Sequence, residues 1–285
     1  MKLGIYGNNC QAAHLDELRG FLSWLRSDGP DFVIHGDFAA YLRCHGIEGD
    51  VREAVTALPS DVSMVISVGG DGTFLHAADW VGPLEIPIMG INTGHLGYLT
   101  AFSFSDIHSI REAIEGHYEI SSRMTIEIVS PYLPADFSPV ALNEVSIAKG
   151  DTTSMVDIRA DIDGKYLAEY MADGLIIATP TGSTAYNLSC GGPILQPTLD
   201  SMILSPIAPH SLTLRPLVVD SASELTFQVS SRGDECHIGV DGRTFSVPGH
   251  GAALTVKQGA YRVNVVQPLH TDFARILRNK LNWGG

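Results

Sequence analysis

The chain has 285 residues, 45% of them hydrophobic, enough to bury a substantial core and, at roughly 150 residues per domain, to form two domains. Its formal net charge of −14 argues against a nucleic-acid partner, because binding a phosphate backbone needs a basic face that releases counterions, while small phosphorylated ligands stay open. No apolar run is long enough to cross a bilayer, and Met1–Gly7 reads as a first strand rather than a secretion signal. Cys10, Cys44, Cys190 and Cys236 lie too far apart for a zinc or disulfide framework, so a cytoplasmic protein with reduced thiols and no membrane partner is expected.

In chain order, Leu3–Tyr6 is a short strand and His14–Leu25 a helix with Leu15, Leu18, Phe21, Leu22 and Leu25 on one face. Phe32–Ile34 is the next strand, Phe38–Cys44 and Val51–Leu58 are helical, Val62–Val68 is a strand, Phe74–Val81 a helix and Ile86–Ile91 a strand. This alternation predicts a doubly wound, parallel α/β domain over residues 1–101. Its ligands belong at the carboxyl ends of the strands, where Gly69–Thr73 and Asn92-Thr93-Gly94-His95-Leu96-Gly97 both fall. After a helical segment at Ile107–Ile114 the texture changes to short β runs: Tyr118–Val129, Ala141–Ala148, Met155–Ile162, Leu175–Thr179, Leu225–Val229, His237–Val240, Ala253–Val256 and Arg262–Val266. Asp163-Gly164 and Asp241-Gly242 are hairpin-turn dipeptides among them. Residues 102–268 are thus expected to form a mostly antiparallel β domain, and 269–285 to close the chain with a helix, Thr271–Leu281, that packs on another element.

The run Met64–Val68 stops at Gly69-Gly70-Asp71-Gly72-Thr73 and restarts as a helix. Three glycines let backbone N–H groups approach a polyanion, and a helix N-terminus adds partial positive charge. A carboxylate at such a place suits a cation shared with phosphate, or an acid that takes a proton from a hydroxyl during phosphoryl transfer. The same pentapeptide is also compatible with a plain turn capped by Asp71 or Thr73. Neither a Walker-type loop nor a full G-x-G-x-x-G is present. The lysines are Lys2, Lys149, Lys165, Lys257 and Lys280, none of them between residues 3 and 148. Phosphates near the glycine loop would therefore depend on amides, arginine or a divalent metal, which predicts magnesium dependence, with manganese as a substitute.

Asn143-Glu144 interrupts an apolar run with an amide and a carboxylate, a pair able to hold two ribose hydroxyls or simply a strand end facing water. Asp173-Gly174-Leu175-Ile176-Ile177-Ala178-Thr179-Pro180-Thr181-Gly182-Ser183-Thr184-Ala185-Tyr186-Asn187 runs a buried strand into a turn rich in small hydroxyl residues, with Tyr186 offering a stacking face. The histidines show no metal-ligand spacing, Cys190 lacks the setting of a nucleophile, and Asp161-Ile162-Asp163-Gly164 reads as a hairpin rather than a calcium loop.

Taken in order, Gly69–Thr73, Asn143-Glu144, Asp173–Asn187, Gly191-Gly192-Pro193-Ile194, Pro209-His210-Ser211-Leu212 and Arg215-Pro216-Leu217 resemble the bacterial NAD kinases, over about residues 64–283. The glycine motif alone is shared with diacylglycerol, sphingosine and phosphofructokinase-type kinases; the Thr179–Tyr186 segment carries the narrower likeness. The resemblance implies an α/β domain plus a β domain with the active site in the crevice between them, a homodimer or homotetramer, and magnesium-dependent phosphorylation of the 2′-hydroxyl of the adenosine ribose of NAD by ATP. It implies Asp71 as proton acceptor, Gly70, Gly72 and Thr73 at the phosphates, Asn143, Glu144 and Asp173 on the dinucleotide, and Thr184, Ala185, Tyr186, Asn187, Leu188 and Ser189 around one adenosine. Arg243 would lie near the ligand, and the metal would be held mainly by ATP phosphates rather than by side chains. Met171 stands where many relatives carry arginine. A lipid kinase would not require Asn143-Glu144 or the Tyr186 segment, and a non-catalytic dinucleotide sensor would not require Asp71.

Overall fold

The computed structural model describes residues 1–9, 12–47, 53–94, 97–150 and 154–284. Cys10, Val51, His95 and Leu96, which carried expectations above, lie outside them. Chain order is β1 (Lys2–Gly7), α1 (Leu15–Ser27), β2 (Asp31–His35), α2 (Gly36–Cys44), β3 (Ala54–Val55), β4 (Met64–Val68), α3 (Asp71–Val81), β5 (Ile88–Asn92), β6 (Phe102–Ser103), α4 (Ile107–Ile114) and β7 (Glu119–Arg123). It continues through β8 (Ile126–Val129), β9 (Val140–Ala141), β10 (Glu144–Lys149), β11 (Val156–Ile162), β12 (Lys165–Ala172), β13 (Gly174–Ala178), α5 (Tyr186–Ser189) and β14 (Ser201–Ile207). The last elements are β15 (Leu217–Asp220), β16 (Leu225–Val240), β17 (Arg243–Gln258), β18 (Val263–Gln267) and α6 (Phe273–Leu281).

The chain packs as two compact units, Met1–Ser122 with Val263–Gly285, and Arg123–Arg262. The first is built on a sheet ordered β3-β2-β1-β4-β5-β18-β7, with β6 also on β5. The pairs β1–β2, β1–β4, β4–β5 and β5–β18 are parallel. Every residue of β4 and β5 is buried, which is why both are mostly apolar without the alternation of a half-exposed strand. On α1 the apolar positions Leu18, Phe21, Leu22 and Leu25 recur at helical spacing and are the buried ones. α3 packs on β1, β4 and β5, and its Phe74 and Ala77 are fully buried. That packing fixes the first turn of α3, and with it Asp71.

The second unit is a mostly antiparallel sheet ordered β15-β14-β13-β10-β16-β17-β8-β9, with the hairpin β11–β12 joined through β16. Asp163-Gly164 and Asp241-Gly242 form its two-residue turns, with φ of 51° and 72° and of 46° and 81°, the positive pair that matches the twist of the flanking strands. The register places Glu144 opposite Ala178 and Val145 opposite Val240. The start of β10 therefore adjoins the ends of β13 and β16, and three segments far apart in sequence converge at one end of the sheet.

Three expectations change. The helix expected over Val51–Leu58 is absent where the chain is described: Ala54–Val55 is a short strand pairing with β2 at Ile34 and His35. Sheet pairing prevailed over a weak helical pattern. The run Tyr118–Val129 divides, β7 joining the first sheet and β8 the second, because its polar residues around Ser121–Arg123 carry no signal of which sheet takes them. The change from one unit to the other falls at 122/123 rather than 101/102, and β18 and α6 belong with the first unit.

Replacing Phe74 by alanine should cost about 3–5 kcal/mol, the range for emptying a fully buried aromatic site. Urea denaturation followed by circular dichroism checks this; a loss below about 1 kcal/mol would show that α3 is not held by this contact.

Candidate active site

In the first unit, the chain leaves β4 through Gly69, whose φ of 151° and whose contact with Thr73 exclude a side chain: a Cβ there would overlap the Thr73 hydroxyl. Thr73 is buried and its Oγ1 accepts a hydrogen bond from Asn8 Nδ2 at 2.8 Å. Gly70 and Gly72 differ from Gly69. A Cβ at either would meet nothing within 4 Å, so no packing in the unit requires a glycine there, and both leave bare backbone beside Asp71.

The Asp71 carboxylate is held by the segment that follows β5. Its Oδ1 accepts from Leu99 N (3.1 Å), Thr100 N (3.2 Å) and Thr100 Oγ1 (3.0 Å), and its Oδ2 accepts from Tyr98 N (2.6 Å). Thr100 Oγ1 in turn accepts from Asn92 Nδ2 at 2.9 Å and from Gly97 N at 3.1 Å. Gly97 is glycine because a Cβ would fall on the Asp71 carboxylate. Oδ1 is thus filled, and among the described residues Oδ2 accepts from Tyr98 N alone. Oδ2 is the oxygen with room to receive a proton.

Lys280, on α6, lies near this carboxylate. Its ammonium stands 4.5 Å from the Tyr98 ring centroid. Burial brings its pKa down to about 8, against the opposing pull of Asp71. Burial, then the Asp71 charge, raises that of the Tyr98 phenol.

In the second unit, Asp241 gathers the start of β10. Its carboxylate accepts from Leu142 N (2.7 Å), Asn143 N (2.9 Å) and Glu144 N (3.0 Å), and its own N–H donates to Glu144 O at 3.1 Å. Thr179, at the end of β13, donates its hydroxyl to Leu142 O (2.5 Å) and accepts from Gly182 N (3.1 Å). Its N–H donates to Asn143 O at 2.9 Å. These bonds dock the Thr179–Ser189 segment on Asn143-Glu144, and the Tyr186 N–H donates to the Glu144 carboxylate. Burial first, then the Asp241 charge, pushes Glu144 up to about 8 from 4.5. Burial raises Asp241 as well, opposed by its three backbone donors and the Arg243 charge, so both carboxyls of this buried pair hold a proton more tightly than free ones.

Of the other expected residues, Asn187 is fully buried and spent inside the loop. Its Nδ2 donates to Ser183 O (3.0 Å) and Pro193 O (3.1 Å), and its Oδ1 accepts from Ser205 Oγ (2.7 Å). Thr184 Oγ1 donates to Thr181 O at 3.4 Å, Ala185 and Leu188 are half-buried, and Tyr186 and Ser189 are exposed. Asp173 lies just beyond the far end of the β10–β13 pairing, opposite Lys149, about 17 Å along the strand from Glu144. It forms an ion pair with Lys149 at 2.7 Å, which puts a cation beside it although Met171 is not arginine. The Tyr186 phenol feels Glu144 and Asp173 together. Arg243 turns to Val140 O (3.3 Å) and lies over the Phe137 ring at 5.5 Å.

The sequence reading did not single out Tyr98, Thr100 or Lys280, and took Asp241 only as a turn residue. Gly97 and the Asp241-Gly242 dipeptide were the available signals; the donors each carboxylate collects come from tertiary structure.

Comparison with known proteins gives a consistent picture. Residues 33–118 match the ATP-NAD kinase N-terminal domain and residues 142–268 the ATP-NAD kinase C-terminal domain. NAD kinases from Bacteroides fragilis and Christiangramia forsetii are 39% and 37% identical, each over 100% of this chain and 98% of theirs. Among solved structures, a yeast NADH kinase complexed with NADH has a TM-score of 0.86 at 23% identity, covering 100% of this chain and 88% of that one. An Archaeoglobus fulgidus NAD kinase in complex with ATP has a TM-score of 0.75 at 24% identity, covering 100% of both chains.

The raised Glu144 pKa has a stability signature. Between its ordinary value of 4.5 and about 8, the folded chain keeps a proton that the unfolded chain has released. This group's contribution is therefore full below 4.5 and falls as pH rises toward 8, by up to about 1.4 kcal/mol per pH unit. In Glu144→Gln the fall should flatten. Urea denaturation midpoints at pH 5.5 and 7.5 test it, and equal slopes in both proteins would remove the assignment.

Proposed function

The chain belongs to the ATP-NAD kinase family, and from that premise we propose that it transfers the terminal phosphoryl group of ATP to the 2′-hydroxyl of the adenosine ribose of NAD, giving ADP and NADP. The observation that carries this reading is the Asp71 carboxylate, held by donors of the Tyr98–Thr100 segment, three on Oδ1 and one on Oδ2, with capacity left on Oδ2. A ribose hydroxyl is a poor acid, and a fixed carboxylate oxygen accepts its proton as the bond to phosphorus forms, an effect of about 10²- to 10⁴-fold. The four donors hold the oxygen in place without reorganisation in the transition state. Gly70 and Gly72, with no neighbour over their Cα atoms, leave amides open to phosphate oxygens, and Thr73 keeps Gly69 in its turn.

On the dinucleotide side, Asn143 and a protonated Glu144 hold ribose hydroxyls, Glu144 being able to donate as well as accept. The distance from Glu144 to Asp173 suits an extended ligand, with Tyr186 stacking between them and Thr184, Ala185, Leu188 and Ser189 around the adenosine. Asn187 acts by keeping this loop in shape. Among the described residues no three His, Cys, Asp or Glu side chains are grouped to hold a metal, and Asp71 Oδ1 is filled by donors. In this reading magnesium or manganese enters as part of the metal–ATP substrate. A homodimer or homotetramer in the cytoplasm belongs to the same proposal; light scattering on the purified protein reads its assembly.

Asp71→Asn tests the proton acceptor. The amide places an NH₂ against the Tyr98 N–H, so about 1–3 kcal/mol of stability is lost with it. Below the melting temperature, kcat for NADP formation should fall at least about 100-fold while calorimetric NAD binding persists. Near-normal kcat would refute the role. Excess EDTA should abolish turnover, with magnesium or manganese restoring it, and leave NAD binding intact; undiminished turnover in EDTA would count against a metal–ATP substrate.

A further inference from the structure

Within the first unit, a cavity of about 200 Å³ opens beside the segment that grips Asp71. Its walls include Tyr98, Gln267, His270, Asp272, Arg275 and Lys280. Three of these end in buried polar atoms with no hydrogen-bond partner among the described residues: Tyr98 Oη, both Oε1 and Nε2 of Gln267, and Lys280 Nζ. Gln267 is only 5% exposed, so its amide has no recourse to bulk water. Buried polar groups are nearly always paired, and several unpaired ones around one cavity mark a place that something else completes. α6 carries both cations, and no lysine of the first hundred residues stands nearby, since Lys2 pairs instead with Asp61.

The inventory says what that something is. Among the unpaired atoms the ammonium offers three N–H groups, the phenol one O–H and the amide two N–H, against the amide and phenol oxygens as acceptors, and Lys280 and Arg275 bring positive charge to a protein of net charge −14. The acidic wall residue Asp272 is occupied as the cap of α6, its carboxylate accepting from Ala274 N at 3.0 Å. A site rich in donors and cations is complementary to an oxyanion. At about 30 Å³ per water the cavity has room for one tetrahedral phosphate group and a few waters.

We propose that this cavity is a phosphate subsite adjoining Asp71, with Lys280 as its cation and Tyr98 and Gln267 as its neutral donors. The phosphate is either the end of the phosphoryl donor or free inorganic phosphate; the donor assignment rests on the kinase reading above, the site itself does not. Lys280, near both the cavity and Asp71, would keep the two negative groups from repelling each other.

Calorimetric titration with inorganic phosphate and with tripolyphosphate, without NAD or turnover, tests the site. Wild-type protein should bind at least one of the two probes, Lys280→Met should weaken that binding at least 10-fold, and Lys280→Arg should recover most of it. Gln267→Leu, which removes an unpaired amide and does not depend on Lys280, should weaken binding at least 3-fold in a protein that melts no lower than wild type. A rise in KM for ATP but not for NAD in Lys280→Met assigns the site to the donor. An unchanged KM for ATP together with lost phosphate binding assigns it to free phosphate. No binding of either probe to wild type, or equal binding by wild type, Lys280→Met and Gln267→Leu, would overturn the proposal and leave a cavity filled by water, whatever the NAD kinase assay shows.

Discussion

An aspartate that collects three consecutive backbone amides organises each unit. Asp71 takes those of Tyr98, Leu99 and Thr100, and Asp241 those of Leu142, Asn143 and Glu144. Loop amides that would otherwise need water are satisfied by a charge fixed at the end of a sheet, and the charge is satisfied by them. Each clamp turns a length of irregular chain into a positioned surface. In the first unit the surface carries the Asp71 carboxylate itself; in the second it presents Asn143 and Glu144.

The two clamps differ in how much charge they leave over. Asp71 has Lys280 in its neighbourhood and a donor shell that suits an anion. Asp241 has a second carboxylate, Glu144, against it in a buried setting, and the conflict is resolved by protonation of Glu144. The same arrangement, an aspartate that gathers backbone amides beside a polar partner, thus sets a carboxylate near a lysine in one unit and a neutral hydrogen-bonding acid, Glu144, beside Asp241 in the other. Burial and donor count make the difference, since the residue types alone would not.

The elements most legible in the sequence were those with a period. α1 follows from the spacing of Leu18, Phe21, Leu22 and Leu25, and β4 from its mostly apolar run between turn signals. Asp163-Gly164 and Asp241-Gly242 announced their turns because both positions need positive φ. The glycine loop and the Thr179–Asn187 segment were legible as special because small residues at that density have few ordinary uses. What could not be read is what depends on register. Nothing local marks Thr100 as the hub of the Asp71 clamp, or Asp241 as the partner of residues 142–144. Asn187 shows the converse: its motif suggested ligand contact, whereas its amide is consumed by Ser183, Pro193 and Ser205.

The first sheet places β18, residues 263–267, beside β5, although all of Arg123–Arg262 lies between them in the chain. During synthesis this means that the central strand β5 emerges with one hydrogen-bonding edge bare along Ile88, where Val265 will later pair. An apolar edge of that kind invites pairing with other chains until it is covered. The second unit, contiguous in sequence, has all its strands earlier than the first unit has its own, and α6 with Lys280 is added only after β18. The growing polypeptide therefore holds Asp71 and its three amides well before it holds the lysine beside them, and the exposed flank of β5 makes the interval between the two a window for misassembly on the ribosome.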